Sequence, residues 1–411
     1  MCPVLVQCPQ PPALPASAAD RPRYALTVRV APSLRMVTGT TDVTFRPNRP
    51  TDRLVFRLWP NAPRSLDEGA RLDVGPIRGR RTTRPDPTTH VVHFGHDIRG
   101  KRVHVRLPWS LRVPAAGFDR ISRFRGGLLL GSFFPILAWD PRRGWVTDRP
   151  AKILAESSTS PIADFTVRVR APGGLTAVVS EGRAARDVAV AVGRFNIASR
   201  VVRAPQPVQI RVAVAQGGRV QPRTVLADAT SAVTRLAQRY GRYPWRRYTV
   251  VVPPDFGPGG IEYPTLTFVG ARNFLPLVVD HETAHQWFYS LVGNDQARDP
   301  WLDETLATWA QQRLDGLRRP PRGVLPAGAR RHVGAPITYW ARFPRAYFWG
   351  VYEEGANALR SLGDNDAVDC ALRHYVARRA YSVAQPGDLL DELNRFIPGA
   401  ERRLRAWGIH R

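Results

Sequence analysis

Cysteine and lysine are scarce in this 411-residue sequence, and long apolar runs are absent. The three cysteines, Cys2, Cys8 and Cys370, provide neither a disulfide framework nor a CxxC zinc site. The longest apolar candidate, Leu128–Trp139, is interrupted by Pro135 and is shorter than the roughly 18 residues that cross a membrane. The sequence therefore predicts neither a disulfide-stabilised scaffold nor a membrane-spanning helix.

The charge is strongly positive, yet lysine contributes little of it. Lysine and arginine together number 60 against 34 acidic residues, which gives a formal net charge of +26. Lys101 and Lys152 are the only lysines, so the excess is almost entirely arginine, as GC-rich coding produces. No dense basic run with interleaved aromatic residues occurs, so specific nucleic-acid binding is not predicted. Electrostatic contact with an anionic envelope remains open.

The residue pattern changes from strand-like to helix-like along the chain, and its length suits two domains. Candidate strands with β-branched content are Tyr24–Val30, Thr40–Phe45, Val103–Leu107 and Phe165–Val169. Candidate helices are Thr224–Tyr240, 353–362, 366–379, 387–396 and 400–407. We therefore predict an α+β protein, with an antiparallel β domain over residues 20–204 and a mainly helical domain over residues 205–411.

Residues 1–19 are rich in proline and alanine and form a separate leader segment. One interpretation is a disordered leader. The other is the tail of a signal peptide, because residues 16–19 resemble a small-residue cleavage site, although a charged start and an unbroken apolar core are missing. An extracytoplasmic location is favoured over a cytoplasmic one.

The most informative motif is His-Glu-Thr-Ala-His at residues 281–285, followed after eighteen residues by Glu304. On a helix, His281 and His285 leave one face, so both imidazoles can reach one metal ion. Glu304 begins a second predicted helix, Trp301–Leu317, and supplies a third ligand. Three protein ligands leave one position of a zinc ion open, as in catalytic sites. Glu282 is then placed to act on a water molecule.

Each of these features also has a simpler interpretation. A bare HExxH motif occurs by chance on ordinary helices with two surface histidines. Taken alone, Glu262 is an exposed residue after a Gly-Gly turn, and Tyr352 is a core or boundary residue. Beside a zinc site, a carboxylate could bind a substrate's amino terminus, and a phenol could donate to an oxyanion.

Four segments together resemble the aminopeptidase N-type gluzincins, a family of zinc metallopeptidases, in the short bacterial two-domain form. They occur in family order and are GGIEYP (259–264), HETAHQWFYSLVGND (281–295), PWLDETLAT (300–308) and VYEEGANAL (351–359). The likeness extends more weakly to residues 130–148. It implies a β domain followed by a thermolysin-like catalytic domain.

The resemblance also implies a set of functional residues. One zinc ion per chain would be held by His281, His285 and Glu304. Catalysis would use Glu282 as the general base and Tyr352 to stabilise the tetrahedral intermediate. The substrate would be bound by Gly259, Gly260 and Glu262, of which Glu262 would pair with the free α-amine.

The sequence departs from the family pattern at several positions near these motifs. Ile261 stands where methionine is common, and Tyr263 replaces the commonest asparagine. Thr305 replaces a usual glycine after the third ligand, and Glu354 replaces a usual lysine. No metal ligand is lost, but the family's second amine-binding residue has no assigned position in the β domain.

We therefore predict a zinc-dependent peptidase, most simply an aminopeptidase that acts on peptides with a free amino terminus. One alternative is an endopeptidase or another amide hydrolase with an open cleft. The alternative from another class is a non-catalytic, cationic envelope-binding protein on a peptidase scaffold. Side-chain specificity and oligomeric state do not follow from the sequence.

Overall fold

The computed structural model describes residues 8–115, 119–154, 159–271, 275–316 and 325–411. Strands dominate its first half, and the predicted strand segments fall within four of them. In chain order the strands are β1 (Arg23–Val30), β2 (Met36–Phe45), β3 (Arg53–Arg57), β4 (Arg71–Val74), β5 (Arg81–Asp86), β6 (Thr89–His93), β7 (Val103–Arg112), β8 (Ile121–Phe124), β9 (Gly127–Gly131), β10 (Ile136–Leu137), β11 (Trp139–Asp140), β12 (Gly144–Trp145), β13 (Asp164–Arg170), β14 (Thr176–Val179) and β15 (Ala189–Gly193). One short helix, α1 (Pro63–Asp67), lies between β3 and β4.

Three sheets of the first half share one apolar core. Their strand orders are β13-β1-β2-β7-β4, β10-β3-β6-β5 and β14-β15-β9-β8. In β1, Tyr24, Leu26, Val28 and Val30 are buried and the intervening residues are exposed, because successive side chains point to opposite faces of a strand. Strands β1 and β13 pair in parallel, whereas β1 and β2 pair antiparallel. The predicted α+β class, with N-terminal antiparallel sheets, is confirmed.

The second half opens with a mixed sheet covered by a long helix. Its elements are β16 (Phe195–Arg203), β17 (Pro207–Ala215), α2 (Pro222–Tyr240), β18 (Arg247–Val252), β19 (Gly260–Tyr263) and β20 (Leu266–Val269), and the strand order is β16-β17-β18-β20-β19. Helix α2 buries Val225, Ala229, Val233 and Leu236 at helical spacing against this sheet. The predicted boundary at residue 204 lies in the turn between β16 and β17, so the sheet begins before it.

Helices make up most of the remaining chain. They are α3 (Leu275–Ala284), α4 (Trp301–Leu314), α5 (Ile337–Trp340), a π-helix (Phe348–Glu353), α6 (Glu354–Arg360), α7 (Asn365–Arg379), α8 (Pro386–Phe396) and α9 (Ala400–Leu404), with the short strands β21 (Gly293–Asn294) and β22 (Val383–Ala384) between them. Residue 317, the predicted end of the helix that contains Glu304, lies outside the described residues. Among the described residues, none of the helices combines the length and the apolar character needed to span a lipid bilayer.

The helix that carries the first four residues of the HExxH motif is shorter than its apolar pattern suggests. The sequence favours a helix that continues beyond His285 toward Val292, but α3 ends at Ala284 and turns follow. Tyr289 has a φ of 123°, which a helix does not allow. The large apolar side chains after the motif, such as Trp287, are nonetheless fully buried, because the turns fold back onto the core.

Polar contacts join the two halves. The buried Arg186 of the first half donates to the carbonyl oxygens of Tyr289, at 2.8 Å, and Ser382 of the second half. Burial lowers the pKa of Arg186 to about 10, so the guanidinium stays charged at neutral pH. Arg143 forms an ion pair with the buried Asp295 at 3.1 Å. Charge-assisted bonds of this kind fix the relative position of the two halves.

A disulfide bond links the start of the described chain to the helical region. Cys8 is bonded to Cys370 in α7, and the carbonyl of Pro9 lies 3.0 Å from Nε2 of His374. The prediction that the cysteines form no disulfide was wrong in this respect, because two of them meet across 362 residues of sequence. Residues 8–19, part of the predicted leader, contain no helix or strand. Residues 1–7 lie outside the described residues.

We expect Cys8→Ser to lower the midpoint of thermal unfolding. A disulfide restricts the unfolded chain, and one that closes a long loop contributes about 2–5 kcal/mol. Differential scanning calorimetry of the wild type and the variant, each with and without a reductant, measures this. Reductant should lower the wild-type midpoint toward that of Cys8→Ser and leave the variant unchanged. Equal midpoints for the two oxidised proteins would contradict the expectation.

Candidate active site

Two helices bring the three candidate metal ligands to one point. His281 lies in the last turn of α3, His285 follows one turn later, and Glu304 lies in the first turn of α4. The two imidazole Nε2 atoms are 3.2 Å apart, and Glu304 Oε2 lies 3.4 Å from that of His281 and 3.3 Å from that of His285. Ligand atoms on a tetrahedral zinc ion with bonds of about 2.0–2.1 Å are about 3.3–3.4 Å apart. The three atoms therefore fit one zinc ion.

Neighbouring groups hold these ligands in place. The Nδ1 atom of His285 lies 3.0 Å from the carbonyl oxygen of Phe288, which can only accept a hydrogen bond. The proton therefore resides on Nδ1, and the lone pair of Nε2 is free to bind a metal. The Asp303 carboxylate accepts hydrogen bonds from the backbone N–H of Glu304 at 3.0 Å and from Gln296 Nε2 at 2.8 Å. These contacts fix the first turn of α4.

Glu282 is a buried carboxylate beside the ligands. Its side chain is 4% exposed, and among the described residues its Oε2 atom has no hydrogen-bond partner. Burial is the main reason that the pKa of Glu282 is raised well above its ordinary value. A Cβ atom at Gly260 would lie 2.4 Å from Glu282 Cγ, so only glycine fits there. Gly260 thus makes room for Glu282, and an unpaired buried oxygen indicates a missing polar partner.

Glu262 faces the same space from strand β19. Its residue pairs with Thr267 of β20, and its side chain is 5% exposed. The Oε1 atom has no hydrogen-bond partner among the described residues. Ligand atoms of Glu262, Glu282 and His285 lie within 4.8 Å of one another. An acidic group with a free oxygen therefore lies directly beside the metal ligands.

The unusual Tyr263 is accommodated by the first half of the chain. Its hydroxyl accepts a hydrogen bond from Arg120 Nη1 at 3.2 Å. A Cβ atom at Gly131 in β9 would lie 1.8 Å from the same hydroxyl oxygen. The tyrosine that replaces the family's asparagine therefore packs across the two halves, and Gly131 provides the space that it needs.

Tyr352 lies on the π-helix and contacts the candidate metal ligand His281. Its ring is stacked on the imidazole of His281, with 5.6 Å between ring centroids and 10° between ring planes. Burial and the nearby Glu304 carboxylate raise the pKa of Tyr352 well above its ordinary value. The phenol therefore stays protonated at neutral pH and remains a hydrogen-bond donor. Such π-helical turns occur frequently at functional sites.

A cavity of about 800 Å³ joins these groups. All the predicted site residues line it: Gly259, Gly260, Glu262, His281, Glu282, His285, Glu304 and Tyr352. Polar residues to which the sequence assigned no role line it as well. Ser65 donates to the buried Asp119 at 3.0 Å, and Thr308, Tyr347 and Glu353 lie on the helical side. Nothing in the local sequence distinguishes Ser65 or Asp119, which reach the cavity through tertiary packing.

Comparison with known proteins identifies the class of this fold and site. Residues 228–320 match the model of the Peptidase family M1 domain. The aminopeptidase RNPEPL1 of Homo sapiens is 31% identical over 280 residues, which are 57% of this chain and 38% of that protein. Aminopeptidase B of Rattus norvegicus is 38% identical over 85 residues, which are 19% of this chain and 13% of that protein. The chain thus spans less than two-fifths of these relatives.

The fold has a counterpart among solved structures. The M1 zinc metallopeptidase from Deinococcus radiodurans has a TM-score of 0.65 and 21% sequence identity, and the match covers 97% of this chain and 95% of that one. At this identity the likeness establishes the fold. The matched segment and the relatives bear out the predicted aminopeptidase N-type family, since residues 228–320 match its M1 peptidase domain and the relatives are named as aminopeptidases.

Proposed function

We propose that this chain is a zinc-dependent aminopeptidase that removes residues from the amino terminus of peptides. One observation supports the proposal: three side chains that can bind a metal ion, the buried carboxylate of Glu282 and a second acidic group with a free oxygen line one cavity. The relatives named as aminopeptidases support the same reaction. A non-catalytic binding protein would have no use for Glu282, whose burial without a partner is energetically costly.

The metal site fits zinc by donor type and spacing. Two imidazole nitrogens and one carboxylate oxygen are a donor set that catalytic zinc sites use. His281, His285 and Glu304 would hold the ion, and bound zinc supplies Lewis-acid chemistry that activates water toward a carbonyl at neutral pH. The position of Glu304 Oε2, 3.3–3.4 Å from both imidazole nitrogens, supports this assignment.

The side chains around the ligands supply the proton transfers and the charge stabilisation. Glu282 accepts the proton of the attacking water and then delivers it to the leaving amine, as a general base and acid. The hydroxyl of Tyr352 donates a hydrogen bond to the carbonyl oxygen as negative charge develops there. The stacked arrangement with His281 keeps the ring of Tyr352 at the edge of the ligand set.

Glu262 gives the site its preference for chain ends. Its carboxylate binds the protonated α-amine of the substrate, and the first peptide bond then lies beside the metal ligands. Because this contact holds the substrate in a reactive orientation, binding energy is converted into rate. Peptides with a free amino terminus are therefore the proposed substrates. The net charge of +26 supports an additional electrostatic contact with anionic envelope polymers.

We expect Glu262→Gln to reduce kcat/KM on amino acid amide reporters by about 10²-fold, because a charge-assisted bond to the amine is lost. Hydrolysis of peptides with blocked amino termini should change by less than about twofold, since they carry no amine to bind. Glu353→Gln is the matched control, because it removes another carboxylate of the same cavity. Equal losses on free and blocked substrates would refute the anchoring role and favour the endopeptidase alternative.

A further inference from the structure

Thr305, which follows the third candidate ligand, forms a contact that links two parts of the site. The residue is fully buried in α4, next to Glu304. Its hydroxyl donates a hydrogen bond to the carbonyl oxygen of Val351 at 2.6 Å. Val351 lies in the π-helix and directly precedes Tyr352. The helix that carries a ligand is thereby bonded to the backbone that carries the phenol.

Gly355 is the packing partner of this threonine. A Cβ atom at Gly355 would lie 2.0 Å from Oγ1, 2.7 Å from Cγ2 and 2.8 Å from Cβ of Thr305. No side chain larger than hydrogen fits at that position while Thr305 is present. The side-chain volume that Thr305 adds, where the family usually has glycine, therefore fills the space next to the backbone of α6.

The contact matters because of the kind of helix that it supports. In a π-helix the hydrogen bonds span five residues, and such helices are rare and occur mostly as single turns. The peptide group between Val351 and Tyr352 sets the direction of the tyrosine side chain. Tyr352 must also hold its stacked position on His281 for its hydroxyl to face the cavity. The hydrogen bond to the Val351 carbonyl therefore restricts both the direction of the Tyr352 side chain and the position of its ring.

We propose that Thr305 is a positioning residue whose hydroxyl, through the Val351 carbonyl, fixes Tyr352 for oxyanion stabilisation. The inference rests on the proposed function and adds a residue that acts through Tyr352 without touching the substrate. Thr305→Val keeps the shape of the side chain and removes the donor. Thr305→Ser keeps the donor and removes a methyl group.

The kinetic experiment compares these two variants on an amino acid amide reporter. Thr305→Val is expected to lower kcat about tenfold and to change KM less than about twofold, since the loss falls on the transition state. Thr305→Ser should restore kcat to within about twofold of the wild type. Wild-type kcat for Thr305→Val, or an equal loss in both variants, would overturn the proposal.

A double variant tests whether Thr305 acts through Tyr352. In the Tyr352→Phe background, Thr305→Val should have less than about a twofold effect, because the phenol that it positions is already absent. The control is Thr234→Val, which removes a comparable threonine bond to the carbonyl of Thr230, at 2.8 Å in α2, away from the cavity. A full tenfold loss in the Tyr352→Phe background would show a general structural role and refute the positioning role.

A second measurement does not depend on catalysis. Amide hydrogen exchange of peptides that cover residues 348–356 should be faster in Thr305→Val than in the wild type or Thr305→Ser, because the π-helix loses its anchor. The exchange measurement distinguishes failure of the proposed peptidase function from failure of the positioning role of Thr305. If the wild type hydrolyses no reporter but the exchange difference is present, the proposed function fails and the anchor stands. If the reporter is hydrolysed but exchange is unchanged, the anchor is refuted.

Discussion

Replacing Glu282 with glutamine is expected to abolish most hydrolysis while the protein keeps its zinc. The amide has nearly the size of the carboxylate, so the packing against Gly260 is preserved. It cannot accept a proton from water, however, and general acid–base catalysis contributes about 10²–10⁴-fold. The value of kcat on an amino acid amide reporter should fall by that factor. Metal analysis should still give one zinc ion per chain, because Glu282 is not a ligand in the proposed site.

The control for this result is Glu392→Gln, which removes another buried carboxylate, in α8, away from the cavity. Its kcat should stay within about twofold of the wild type, because no proton of the reaction passes through it. Wild-type turnover in Glu282→Gln would mean that another group serves as the base. Loss of zinc from Glu282→Gln would instead mean that the carboxylate belongs to the metal site.

Replacing His285 with alanine is expected to remove both the metal and the activity. His285 is 1% exposed, and its Nε2 atom lies within 3.4 Å of both other ligand atoms. Its loss leaves two ligands and an empty space where the imidazole stood. Zinc content should fall far below one ion per chain, and kcat/KM should fall by at least about 10³-fold, since water activation needs the ion.

Two controls accompany this variant. His90→Ala replaces another buried histidine, in β6, whose pKa burial lowers to about 4 and whose ring nitrogens have no hydrogen-bond partner among the described residues. It should keep its zinc and its activity. The wild type should lose activity in a chelator and regain it when zinc is added. Full zinc occupancy in His285→Ala, or activity that a chelator does not affect, would contradict the assigned site.

Short-range spacing explains why much of the site was predictable. His281 and His285 are separated by about one helical turn, so their proximity follows from local geometry. Glu304 lies in the first turn of the next helix, after a connection over residues 285–300 that includes β21. Glu262 precedes the motif and Tyr352 follows it well beyond Glu304, and the residues alone left their roles open. Only the resemblance to a known family implied roles for them.

Other features depend on tertiary packing and could not be predicted from local patterns. Ser65 and Asp119 reach the cavity because the sheets of the first half pack beside the helices. The replacements at Tyr263 and Thr305 are explained by two glycines distant in sequence, Gly131 and Gly355, each of which provides space for the larger residue.

The fold shows the same division between local and long-range determinants. Alternating apolar residues predicted β1 and β13, because a strand with one buried face has a period of two. Their parallel pairing joins strands from opposite ends of the first half, and no periodicity specifies such a partner. The apolar residues after His285 suggested a longer helix than exists. Buried turns contain the same apolar residues as a buried helix. The positive φ of Tyr289 shows that this segment is not helical.

The disulfide between Cys8 and Cys370 closes residues 8–370 into a covalent ring. The ring contains the candidate metal ligands, Glu282 and every described strand and helix from β1 to α6. A single proteolytic cut between these cysteines would open the ring but release no fragment from it. The two segments of such a nicked protein would stay covalently joined until the disulfide is reduced.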